Sequence, residues 1–93
     1  MTAPWRVAWD PHTRKDLERL GRPVAERIRT AVMTRLAYDP TLGSRLRTSS
    51  DVALFRYRVG DYRVIYTLRE LEVLILVLRV GHRKEVYKRT SLK

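Results

Sequence analysis

Cysteine is absent from the 93 residues, which excludes a disulfide framework and a cysteine-ligated metal site. Histidine is nearly as scarce. His12 and His82 stand far apart and the acidic residues lack metal-ligand spacing, so metal-dependent hydrolysis has no ligand set; Asp10 and His12 read as a helix cap and a surface histidine. The four glycines stand singly, which excludes a glycine-rich phosphate loop, and no serine or cysteine nucleophile has a positioned base. No apolar run approaches the ~20 residues of a spanning helix, and basic residues are spread over the whole chain, so a membrane is the weakest partner class. Met1 to Arg6 has no apolar core of the kind a signal peptide needs, and the expected location is the cytoplasm. Negative charge is short as well: 10 Asp plus Glu stand against 20 Lys plus Arg, a formal +10. A field of that sign draws RNA, DNA or an acidic protein.

What is present is a folding composition, 44% hydrophobic with five Tyr and two Trp, in a length that suits one domain over residues 1–93. The expected class is α+β. Trp5 to Trp9 reads as a first strand, ending at Asp10, which can cap a helix that Pro11 starts and Gly21 stops. A second helix begins near Arg22-Pro23. Val24, Ile28, Ala31, Val32 and Leu36 form one stripe down it, with Arg22, Glu26 and Arg29 on the other side, and Asp39-Pro40 ends it. Two helices joined so tightly form a hairpin. Thr41 to Asp51 reads as a loop carrying Arg45 and Arg47.

Beyond the loop the pattern changes to period two. Gly60-Asp61, flanked by aromatic and β-branched residues, predicts a two-residue type II′ hairpin turn, so that Val59 faces Tyr62, Arg58 faces Arg63, Tyr57 faces Val64 and Arg56 faces Ile65. Arg56, Arg58 and Arg63 then share one sheet face, and Phe55, Tyr57, Val59, Tyr62, Val64 and Tyr66 the other. Opposed like charges cost roughly 0.2–1 kcal/mol, so the cluster asks for a polyanion. Solvated, snorkelling arginines are the plainer reading. The run Val73 to Leu78 suits a central strand; a one-residue slip in the turn before it would reverse its faces, which leaves the side of Arg79 open. The helices can cover one sheet face only, and the other needs shielding by apolar residues and by a ligand or partner. Gly81 is placed to bend the chain at the sheet edge, ahead of the donor-rich run His82, Arg83, Lys84, Tyr87, Lys88 and Arg89, and Thr90 to Lys93 reads as a frayed end.

A metal-free set of Arg, Lys, His and Tyr can cut RNA. The ribose 2′-OH attacks the adjacent phosphate, and the protein must take one proton, offset charge on the phosphorane and protonate the leaving 5′-oxygen. Arginine forks suit the middle task. His82 is the candidate acid, and Tyr87 is placed to orient or deprotonate the 2′-OH. A surface histidine at a bend and an aromatic packed on the sheet are the corresponding structural readings.

Leu46-Arg47, then Phe55 to Tyr66, then Val80-Gly81-His82-Arg83-Lys84-Glu85-Val86-Tyr87 resemble the RelE/ParE toxin superfamily, most closely its RelE branch. The likeness covers nearly the whole chain. It implies an N-terminal strand, a helical hairpin and a three-stranded antiparallel meander in one sheet with helices on one face. It further implies a ribosome-dependent mRNA endonuclease without a cofactor, which meets rRNA and mRNA in the decoding site and is neutralised by an antitoxin. Carried over, the catalytic positions are Arg56, Arg58, Arg63, Arg83 and Tyr87, with His82 added; Arg45, Arg47, Arg79, Lys84 and Lys88 are expected to bind RNA. RelE-like enzymes often carry lysine where this chain has Arg56 and Arg58, which are poor proton acceptors at pKa above ~12. The general base is thereby left unassigned. Two other readings are a ParE-like inhibitor of DNA gyrase, whose relatives tend to lack the full basic and Tyr set, and a plain RNA-binding protein.

Overall fold

A computed structural model describes residues 3–47 and 51–86; Tyr87, Lys88 and the end of the chain, like Thr48 to Ser50, lie outside the described residues. Strand β1 (Arg6–Trp9) leads into helix α1 (Pro11–Leu20). Asp10 caps that helix, its Oδ1 accepting from the His12 amide at 2.9 Å and lying 2.7 Å from His12 Nδ1. Those two hydrogen bonds hold the Asp10 carboxyl below its usual range. Gly21, at φ 92, separates α1 from α2 (Arg22–Ala31), and the two pack as the expected hairpin.

The apolar stripe of α2 runs past its last α-helical turn into a π-helical segment, Val32–Leu36, closed by the Ala37 amide on Val32 O at 2.8 Å. Val32, Leu36 and Ala37 are all buried along this segment.

Residues 41–51 are not all loop. Ser44–Leu46 forms β2, a short edge strand that pairs antiparallel with β3 (Leu54–Val59), Ser44 facing Arg56 and Leu46 facing Leu54. Three residues, one of them apolar, carry no readable alternation, so the sequence hid this strand. The meander continues through β4 (Tyr62–Arg69) to β5 (Leu74–His82), and the sheet order is β1-β5-β4-β3-β2. The apolar run lies in β5, an interior strand parallel to β1 and antiparallel to β4. It does not bend at Gly81: the ladder to β4 continues through Arg63↔Gly81 and Tyr62↔His82.

The hairpin register is the expected one, including Arg58↔Arg63 and Arg56↔Ile65. Gly60 has φ 59, as the first position of a type II′ turn requires. Helix α1 packs over β5 and α2 over β3. Between helices and sheet lies the core: Leu17, Ile28, Val32 and Leu36 against Val64, Tyr66, Ile75, Val77 and Val80. Tyr66 is wholly buried, its ring stacked on Phe55 and its hydroxyl donating to Pro40 O at 2.8 Å while accepting from the Gly43 amide at 3.1 Å.

Between β4 and β5 a 3-10 turn, Glu70–Glu72, ends at Val73, which sits at φ 50, ψ 51. A β-branched residue is strained there. Replacing it relieves the strain: Val73→Asn is expected to raise unfolding free energy by about 1 kcal/mol in urea titration. Tyr66→Phe should lower it by about 1–3 kcal/mol, because Gly43 N–H and Pro40 C=O lose their partner. Burial pushes the Tyr66 hydroxyl up to about 12 from 10.0. The folded state therefore favours the neutral phenol, a contribution present below pH 10 and lost as pH rises through 12. Stability measured against pH across that window should fall more steeply for the parent chain than for Tyr66→Phe.

Candidate nucleic-acid interface

The sheet face away from the helices carries Arg56 and Arg58 of β3 and Arg63 of β4, brought together by the β3–β4 register. They are not equivalent. Arg58 is exposed and Arg56 half-buried, whereas Arg63 is buried and spends Nη1 on Gly60 O and Tyr62 O, both at 3.0 Å. Arg63 thus braces the turn with one arm of its fork.

The same face is partly covered from within the chain. Ile65 lies on it by register and is fully buried, and Val86 is buried over Gly81, whose added Cβ would come within 3.3 Å of Val86 Cβ. Gly81 is opposite Arg63, so the segment after β5 folds back across the arginine cluster's end of the sheet. The Arg83 amide fixes that return by donating to Asp61 O at 2.9 Å, setting exposed Arg83 beside the hairpin turn.

His82 is placed differently from the expectation that groups it with the arginines. It faces Tyr62, a residue of the opposite sheet face, and meets that ring edge-on with centroids 5.9 Å apart. Its Nδ1 accepts from the Lys84 amide at 3.3 Å, which leaves Nε2 as the position for the ring's proton. The cause is a register shift in the β4–β5 ladder: Ile65 faces Arg79 while Tyr66 faces Val77, so Leu78 is an extra residue. One extra residue reverses the face of everything after it.

Arg79 does not join the cluster as an available cation. Its Nε and Nη2 donate to Asp16 Oδ2 and Oδ1 of α1, both at 3.0 Å, in a two-pronged pair around a buried carboxylate. Of the other expected RNA contacts, Arg45 is exposed on β2 but faces Phe55, on the helix side by register; Arg47 and Lys84 are exposed, and Lys88, like Tyr87, lies outside the described residues.

The sequence reading missed Arg27. It borders the apolar stripe of α2, next to Ile28, and its guanidinium lies against the hairpin turn: a Cβ on Gly60 would come within 2.7 Å of Arg27 Nη2. Arg27, Arg35 and Arg58 line a groove of about 600 Å³ between α2 and β3, with Glu26 as its acidic member. Position beside the stripe, facing a strand, was the available signal. Among the described residues no three His, Asp or Glu side chains group as a metal site would need, and no helix is long and apolar enough to cross a membrane.

This topology and its arginine hairpin have counterparts among known proteins. Residues 7–87 match the family model described as ParE toxin of type II toxin-antitoxin system, parDE. The chain is a toxin of the RelE/ParE superfamily. The toxin is 28% identical over 87 residues to Toxin RelG of Mycobacterium tuberculosis, the match covering 92% of this chain and 99% of that one. Among solved structures, the toxin–antitoxin complex RelBE2 from Mycobacterium tuberculosis superposes with a TM-score of 0.80 at 26% identity, covering 89% of this chain and 95% of that one. The archaeal RelE–RelB complex from Pyrococcus horikoshii OT3 gives a TM-score of 0.70 at 28% identity, covering 87% and 97%.

Arg58 and Arg63 should separate by function. Arg63→Met is expected to cost about 1–3 kcal/mol of stability through the lost turn bonds. Arg58→Ala should change stability by less than about 0.5 kcal/mol, yet lower the slope of log affinity against log salt for single-stranded RNA by about 0.7. Paired melts and salt titrations check both.

Proposed function

We propose that this toxin is an endoribonuclease that cleaves mRNA on the ribosome by attack of a 2′-OH on the adjacent phosphate, without metal or cofactor. The observation that carries the reading is the Arg58↔Arg63 pairing with Arg56 on the same face, an arrangement that is unfavourable until an anion lies across it. The 2′-oxygen bonds to phosphorus, the bond to the 5′-oxygen breaks, and a cyclic phosphate and a 5′-hydroxyl result. Arg56 and Arg58 offset the charge that builds on the non-bridging oxygens. Arg83, beside the turn, extends the same field, and Arg63 holds the turn in shape. Tyr87 is assigned the 2′-OH by resemblance. His82 reaches the leaving oxygen only around the end of the sheet, since its ring lies with Tyr62.

The partner that silences the toxin is proposed to be a cognate antitoxin laid over the arginine face, in keeping with relatives solved as toxin–antitoxin complexes and with the +10 charge of this chain. The ribosome, with its mRNA and rRNA, is the proposed target, and the cytoplasm the place of action.

A second reading has an observation in its favour: the matching family model is that of ParE toxin. On that reading the toxin inhibits DNA gyrase and cuts nothing. Induction in cells, with 5′ ends of messages mapped by primer extension, separates the two. The nuclease reading expects codon-phased cuts, reduced about 10²–10³-fold by Arg58→Ala and abolished with Tyr87→Phe added. Growth arrest with intact messages and a DNA-damage response would overturn it in favour of gyrase.

A further inference from the structure

The side chain of Asp16 is engaged at both oxygens and almost wholly out of solvent. Oδ1 accepts from Arg79 Nη2, and Oδ2 accepts from both Arg79 Nε and the backbone amide of Val80, each at 3.0 Å. Both partners stand immediately after Leu78, the extra residue of β5, where the ladder to β4 changes register. A bulge takes a backbone amide out of regular strand pairing, and a buried amide must find another acceptor. Asp16 supplies it from the helical layer.

We propose that Asp16 is a positioning residue for the RNA-cleaving site: it fixes the bulge that decides which sheet face Gly81, His82 and the turn after them occupy. Without the extra residue, strict alternation from Val77 would put Val80 on the arginine face and Gly81 on the helix face. With it, Val80 is in the core, Gly81 opposes Arg63 with Val86 above it, and His82 faces Tyr62. The turn from Arg83 to Val86 is thereby delivered to the arginine end of the sheet. Arg79 serves as the second half of the clamp, so its charge is committed to α1 and not to RNA. The inference rests on the nuclease reading for its functional consequence, while its structural core stands apart from it.

The test compares Asp16→Asn with the apolar double variant Asp16→Leu/Arg79→Met, in which an unpaired buried charge is avoided. For each, unfolding, NOEs between the Tyr62 and His82 rings and between Gly81 and Val86, and kcat and KM for mRNA cleavage on programmed ribosomes are measured. The expected result is a double variant that folds as stably as the parent, has lost both sets of NOEs, and shows kcat reduced tenfold or more with KM within about twofold. Asp16→Asn, which keeps an acceptor for Val80 N–H, should retain the NOEs in part and fall between. Retention of both NOE sets and of kcat in the stable double variant would overturn the proposal, leaving Asp16 a plain ion-pair partner. Should the parent itself cut no RNA, the nuclease reading fails and the NOEs still decide the role of Asp16.

Discussion

A single carboxylate ties the two layers of this protein together at the point where its sheet departs from regularity. Asp16 belongs to a helix, and what it holds belongs to β5. Burying that charge is costly, and a two-pronged guanidinium and a backbone amide offset the cost. Each hydrogen bond to Asp16 fixes a donor in both distance and direction, which the packing of neighbouring Leu17 and Val80 does not.

The two faces of the sheet answer to different constraints. On the helix side, packing sets the arrangement, and the residues are those a small α+β domain needs. On the other side, arginines face one another across a ladder and the chain's own return segment covers part of what the helices leave open. That cover makes Arg63 an internal brace while Arg58 stays in water, so two residues of one type, directly opposite each other, carry different duties. The turn joining them has Arg27 of the helical layer against its glycine, which extends positive charge from the sheet face into the groove beside α2.

Much of this was legible in the sequence wherever periodicity was clean. The Gly60-Asp61 turn fixed the hairpin register residue by residue, and the Asp10 cap, the Gly21 break and the stripe of α2 were read where they occur. Three features were not legible. Strand β2 is too short for alternation to show; its partner β3 makes it a strand. The π-helical turn preserves burial rather than a helical period, so its residues continue the stripe without announcing the change. The bulge at Leu78 lies in an apolar run that looks the same in any register, and its signal was Asp16, a charged residue on the buried side of α1, far away in sequence. The placing of His82 beside Tyr62 and of Arg79 against Asp16 follows from that one hidden residue.

The parallel pairing of β1 with β5 has a consequence for how such a toxin comes into being. Residues 6–9 leave the ribosome well before residues 74–77 and wait for them, the strand that completes the sheet between β1 and β4. Closing so long a loop is slow and cannot begin until nearly everything between is made. A nascent chain that has just finished the arginine hairpin already carries more than half of its net positive charge but has no β5, no clamp at Asp16 and no return segment over Gly81. The polypeptide is basic early and shaped late, so the order of synthesis itself postpones the moment at which the cell contains a finished toxin.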